Sequence, residues 1–282
     1  MVRIALFSFK ERLLLLYLVL GFTISQAQEQ SASGAASLSL AGANLCLQDA
    51  FTANNNPAGL AYADHWLIAA SYRNDFLIEE LSSRSFTANL PLNKKAFALS
   101  GGQEGFSDYR KNRMALAYAQ RLSPSFSMGL QFNYFSLQLI DPYGAQSFYT
   151  VNLGLHSQLS SKVDIAALIV NPNRVNTSET NDAYSPQIIK LGLRYNPHDF
   201  LSIFIQTEKE LNHQLQTALG IQYSYKENLE LRMGISNLTE QFAFGFSYRQ
   251  RFFQFNLASF YHLQLGFSPS ISISYYPELN EK

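Results

Sequence analysis

Residues 242–248 read FAFGFSY, so that Phe242, Phe244, Phe246 and Tyr248 alternate with Ala243, Gly245 and Ser247. In an extended chain successive side chains point to opposite faces, and this run would carry a row of rings on one face and small residues on the other. The pattern continues outward from it. Upstream, Leu229, Leu231, Met233 and Ile235 alternate with Glu230, Arg232, Gly234 and Ser236. Before these, Ile189, Leu191, Leu193 and Tyr195 alternate with Lys190, Gly192 and Arg194. Earlier still, Tyr149, Val151, Leu153, Leu155 and Leu159 oppose Thr150, Asn152, Gly154, His156 and Gln158. A period of two predicts strands whose faces meet different solvents.

About fourteen such runs fall between His65 and Tyr276, most near the ~9–11 residues that a tilted strand needs to cross a bilayer. Alternate connections are tight, as at Asn93-Lys94, Ser160-Ser161, Asn196-Pro197-His198-Asp199 and Gln250-Arg251. Several of the others are longer: Asp75–Ser82, Glu104–Arg110, Leu139–Gln146 and Asn171–Ser185. Short turns on one rim and longer loops on the other is the polarity of an outer-membrane barrel. A soluble secreted β-sandwich binding module also alternates. Its apolar face, however, would not need so much Phe, Tyr and Leu, nor its polar face so much Gly, Ala, Ser, Asn and Gln. The fold expected is all-β: a transmembrane antiparallel β-barrel of about 14 strands over residues 65–282.

Composition agrees. Of 282 residues, 14% are aromatic, with 22 Phe and 16 Tyr against a single Trp, which suits half-exposed pleated surfaces and the girdles of barrels. The chain has 21 basic and 21 acidic residues, so net charge offers no case for nucleic acid. Residues 1–27 read as a signal peptide: Arg3, Lys10 and Arg12 precede the apolar Leu13–Phe22, and Ser25-Gln26-Ala27 is a cleavage pattern. That apolar run is too short to cross ~30 Å of hydrocarbon as a helix. With no later run long enough, a closed barrel is the way left to satisfy every backbone group in lipid.

Between leader and strands, residues 34–61 read GAASLSLAGANLCLQDAFTANNNPAGLA, without Lys, Arg or Glu. We read residues 28–64 as a hatch or plug inside the lumen, its small residues packing against a small-residue inner wall. Pro57 biases Asn56 toward an extended conformation and directs the chain into the first strand. Cys46, the single cysteine, excludes an internal disulfide and lies too far from the cleavage site to be an acylation site; it reads as a small buried apolar residue.

Little here points to chemistry. His156, Lys190, Arg194, Glu230 and Arg232 should face the lumen, as should Asp164, Glu208 and His262. Such charges pair across strands because lone ions are costly in low dielectric. No nucleophile pattern accompanies them, and the five histidines lack ligand spacing, so neither catalysis, metal nor cofactor is expected. Gly101-Gly102 within the third strand weaken its ladder. They mark either a side opening in the wall or a strand end.

Gly34-Ala35, Leu40-Ala41-Gly42-Ala43, Asp49 and Asn56-Pro57-Ala58-Gly59-Leu60-Ala61 resemble the N-terminal signature of the FadL-type outer-membrane proteins, and are more similar to their PorV/PorQ-like branch. The resemblance implies a fourteen-stranded barrel in the cell outer membrane with a hatch motif comprising Gly42, Asp49, Asn56, Pro57, Ala58 and Gly59. In the PorV/PorQ-like branch it implies a non-enzymatic part in type IX protein secretion, with the secretion machinery or its cargo as partner besides outer-membrane lipid. Because the longest loop, Asn171–Ser185, is polar, this branch is put first. The alternative implied is a FadL-like passive transporter of small hydrophobic compounds, with ligand held near inward aromatics such as Phe135 and released sideways at Gly101 and Gly102.

Overall fold

The computed structural model describes residues 34–140, 144–172, 185–210, 213–226, 228–237 and 241–277. The leader and most of the longest loop lie outside the described residues. The strands are β1 (Leu67–Asn74), β2 (Ser82–Leu92), β3 (Lys95–Gly105), β4 (Tyr109–Ser123), β5 (Phe126–Leu139), β6 (Ala145–Ser160) and β7 (Val163–Val170). They continue as β8 (Ile188–His198), β9 (Leu201–Glu210), β10 (Gln216–Tyr225), β11 (Leu229–Ser236), β12 (Gln241–Gln250), β13 (Phe253–His262) and β14 (Gly266–Tyr275). Every strand pairs antiparallel with its chain neighbours, and β1 closes on β14, with Ile68 opposite Tyr275 and Arg73 opposite Ser270. Among the described residues closure leaves no second sheet, which overturns the sandwich alternative.

The wall explains itself from the alternation. On β12, Phe242, Phe244 and Phe246 project outward and are exposed, and their neighbours Ile235, Met233 and Leu231 on β11 do the same. Between them Ala243 and Ser247 are buried on the inner side. An outer wall of exposed Phe, Leu and Ile is stable only against hydrocarbon, since water would penalise it at ~25 cal/mol per Å². Aromatic residues gather at the ends: Trp66, Phe252 and Phe253 surround Tyr275 at the short-turn rim, and Tyr134–Tyr149 and Tyr261–Phe267 meet toward the other. Among the described residues no helix is long and apolar enough to cross a membrane. The protein is a membrane barrel of the outer-membrane type.

Two expectations about the wall need correction. The stretch expected as a turn at Asn196–Asp199 is strand as far as His198, with a register shift between Tyr195 and His198. Pro197 sits in that irregularity, where its missing N–H does not interrupt a regular ladder. At Gly101-Gly102 no opening interrupts the wall. Both residues keep unbroken pairing, with Phe86 and Ser85 on β2 and with Met114 and Arg113 on β4. Gly101 faces outward and the Phe86 ring lies over it, where a Cβ would collide with the ring. The glycine makes room for a cross-strand ring and not for a gap.

Preceding β1 are two single-turn helices, α1 (Ala35–Leu38) and α2 (Thr52–Asn55), and a 3-10 stretch, Pro57–Tyr62. Nearly all of this segment is buried, including Leu40, Phe51, Asn56 and Leu60.

Candidate functional site

A segment of 29 residues with so little regular structure leaves many backbone groups without intrasegment partners, and burial makes each of them costly. The inner wall supplies the partners. Asn89 of β2 donates to Ala50 O (2.9 Å) and Gln131 of β5 to Ala53 O (3.0 Å). Ser127 of β5 donates to Ala58 O (2.8 Å) and Arg121 of β4 to Ala61 O (2.9 Å). Across the lumen, the N–H groups of Asn44 and Leu45 both donate to Gln206 Oε1 of β9 (3.1 and 2.9 Å). These donors and acceptors belong to inner faces spread around the ring, and they hold the segment against them.

Close approach is made possible by glycines. Gly129 and Gly154 face inward beneath Pro57 and Ala58, and a Cβ on Gly129 would come within 2.5 Å of Ala58 N. Gly220 and Gly234 lie beneath Leu40, Gly192 beneath Leu45, and Gly245 beneath Ser39. Six strands thus each lend one inward glycine to a track that the segment follows.

The motif residues take distinct places. Asn56 Nδ2 donates to Leu155 O on β6 (3.1 Å), while its Oδ1 accepts from Ala58 N (3.1 Å) and caps the 3-10 stretch that Pro57 begins. Gly59 has no room for a side chain, since a Cβ would lie 2.7 Å from Thr52 Cγ2. Gly42 has φ 91 and follows Ala41 at φ 52, a left-handed bend that turns the chain after α1. Asp49 accepts from Phe51 N (2.9 Å), and its own N–H donates to Thr52 Oγ1 (2.8 Å). Burial pushes the Asp49 carboxyl up to about 7, opposed by the Arg232 charge. Burial likewise pushes the Cys46 thiol up to about 12, so it is an inert neutral group among Leu45, Leu47 and Phe204.

The lumen charges are joined in pairs. Arg194 binds Asp164 from the adjacent strand, Lys190 binds Glu208 (2.8 Å) across β8–β9, and Arg232 binds Glu230 on its own strand. Arg232 also donates to Gln222 Oε1 (2.8 Å) and to Ser247. His156 is fully buried, with Nδ1 3.4 Å from Gln48 Nε2 and its ring 5.1 Å from Tyr62. These groups are not brought to one point, and among the described residues they form no arrangement of nucleophile, base and acid. Among the described residues no group of His, Cys, Asp and Glu could hold a metal ion.

One feature escapes the sequence reading and another is only half foreseen. Asn54 Oδ1 accepts from Ser100 Oγ (2.8 Å), Gln131 Nε2 (3.4 Å) and Arg113, joining three strands to one residue of the segment. Above it, the inner face carries Phe135 and Phe148 stacked at 4.9 Å, with Lys111 Nζ 5.0 Å from the Phe135 ring. Asn54, in α2 and outside any strand, had no sequence signal, and Phe135 was expected only as an inward aromatic, without Phe148 and Lys111 beside it. A separate apolar cleft of about 470 Å³, lined chiefly by outward residues such as Leu155, Ile165, Leu191, Leu193 and Ile205, opens to the lipid side and not to the lumen.

No protein-family model and no curated protein matches the sequence. Solved structures do. The Ralstonia pickettii toluene transporter TbuX superposes with TM-score 0.65 at 12% identity, covering 86% of this chain and 98% of that one. A Pseudomonas aeruginosa FadL homologue gives TM-score 0.61 at 10% identity, with the same two coverages. This chain has the FadL-type barrel fold. The Pseudomonas putida toluene transporter TodX, with TM-score 0.57 at 12% identity over 78% of this chain and 91% of that one, has it too. At such identities the likeness concerns the FadL-type fold alone, and the PorV/PorQ-like branch has no counterpart among these structures.

Proposed function

We propose that the protein is a passive, non-enzymatic outer-membrane channel for small hydrophobic compounds, with residues 34–62 serving as a plug. The observation that carries this reading is the fold shared over 86% of the chain with a barrel described as a toluene transporter. The type IX secretion role that the resemblance put first has no support among the structural relatives, and permeation takes its place. The lumen chemistry favours an uncharged permeant. Arg73, Lys190, Arg194 and Arg232 are each engaged by a carboxylate, and Arg113 by Asn54, so the inner wall holds its cations for its own structure. The ring surface of Phe135 and Phe148 above the plug offers contact to an apolar guest.

Expression in a bacterial host with a lipopolysaccharide-bearing outer membrane tests this. The barrel should raise the initial rate of uptake of dilute radiolabelled toluene several-fold over the empty vector. An unchanged rate with the barrel correctly inserted refutes the reading.

A further inference from the structure

Residues 75–81 join β1 to β2 at the long-loop rim, and the backbone there is unusual. Phe76 and Leu77 both have φ 59, the left-handed region in which a Cβ crowds the following carbonyl. Two such residues in succession, neither of them glycine, persist only where surrounding contacts hold them. Most of those contacts lie across the barrel closure. Phe76 N–H donates to Ser268 Oγ on β14 (2.8 Å), and Asp75 pairs with Arg73 (2.9 Å). The Phe76 ring meets Phe260 edge-on (5.8 Å, 89°) and His262 likewise (6.0 Å, 83°). It also packs against the cluster of Ala35, Leu38, Ala41, Ala243 and Ala258, so α1 closes the site from beneath. His262 is held in turn, its Nδ1 accepting from the N–H groups of Gln264 and Leu265 (3.2 and 3.3 Å).

The walls of this site stand on β13, β12 and α1, whereas the ring that fills it comes from a strained loop. We propose that it is a binding site for one aromatic ring of the permeant, and that Phe76 is a tethered stand-in that fills it when no permeant is bound. The inference rests on the permeation reading above. A phenylalanine side chain is a benzyl group, matching a monoalkylbenzene in size and polarity. A guest ring would take over the two edge-to-face contacts and let residues 76 and 77 leave the left-handed region, so like contacts are exchanged and strain is released. Glu79 and Glu80 are exposed on the same loop beside Leu77, Ile78 and Leu81. Two carboxylates at the approach disfavour an anionic guest and leave a neutral arene unaffected.

The test is toluene binding to the purified full-length barrel in detergent, by calorimetry, with folding of each variant checked by heat-modifiable gel mobility. Phe76→Ala should bind toluene at least tenfold more tightly than the parent. Phe76→Ala with Phe260→Ala should lose that gain. Leu77→Gly, which keeps the ring and relaxes the loop, should bind more weakly than the parent. Equal affinity of parent and Phe76→Ala, or a gain that survives Phe260→Ala, overturns the proposal, as does unchanged binding by Leu77→Gly. Uptake is scored separately. An affinity gain in Phe76→Ala without uptake by any variant keeps the ring site and removes permeation; uptake by the parent without that gain does the reverse.

Discussion

Gly129 on β5 and Gly154 on β6 are direct cross-strand partners, and the Pro57–Ala58 peptide lies over the pair. A second such pair, Gly220 with Gly234 on β10 and β11, lies under Leu40. Glycine weakens a strand by removing a packing side chain, and here the lost side chains are replaced by backbone and side-chain atoms of another segment.

Gly129→Val should therefore displace residues 34–62 from the wall without opening the barrel. Valine suits a strand, but its branches would occupy the position of the Ala58 N–H. Overpacking of this kind costs ~1–3 kcal/mol, enough to shift a docking equilibrium. Planar-bilayer conductance should rise above that of the parent while heat-modifiable mobility is kept. Parental conductance would mean that the segment tolerates the side chain.

Asn56→Ala removes the donor to Leu155 O and the acceptor for Ala58 N. Loss of a cap and a buried hydrogen bond together should cost ~1–3 kcal/mol. Asn56→Asp keeps the cap acceptor but sets a carboxylate against the Leu155 carbonyl, so it should be the more damaging of the two. Hydrogen exchange of residues 34–62 reads the difference directly.

The pH dependence follows from Asp49. Its carboxyl is pushed up to about 7 in the docked segment against an ordinary 3.8, because burial disfavours the charged form. The docked state therefore retains a proton that a released segment gives up between those values. Docking is strengthened as pH falls from about 7 toward about 4 and weakened as pH rises through the same window, with no further change above it. Exchange in residues 34–62, corrected for intrinsic rates, should be faster at pH 8 than at pH 5. Asp49→Asn should flatten the dependence.

Arg232→Leu should be the costlier of two lumen changes, at ~1–3 kcal/mol, because it takes a buried donor away from Gln222 and Ser247 as well as from Glu230. The Arg232 side chain is only 3% exposed, against 25% for that of Lys190. Lys190→Gln, whose pair with Glu208 is partly solvated, should cost ~1 kcal/mol or less. The temperature at which each variant loses its folded gel mobility ranks the two; similar values would contradict the burial argument.

The wall was largely legible before folding. Alternation such as FAFGFSY fixes which side chains face lipid, because a strand has a period of two and a slip of one residue would turn the whole ring set inward. Legibility failed where meaning depended on a partner strand. Gly101-Gly102 suggested a weak ladder, yet the Phe86 ring across the pair covers Gly101. Asn196-Pro197-His198 reads as a turn by composition, yet a register shift absorbs it into β8. Phe76 gave no signal at all, because its conformation is imposed by Ser268, Phe260 and His262, nearly two hundred residues away.

By itself, then, the sequence determined the strands, their lipid-facing sides and a small-residue segment ahead of them, since each is set by local periodicity, composition and the lengths of connections. Only the tertiary structure decided which glycines lie opposite one another, which polar residues cap which backbone groups, and which ring fills the lip of β13 and β14. These are contacts between positions far apart in the chain. Closing β1 onto β14 brings them together, and a period of two carries no information about them.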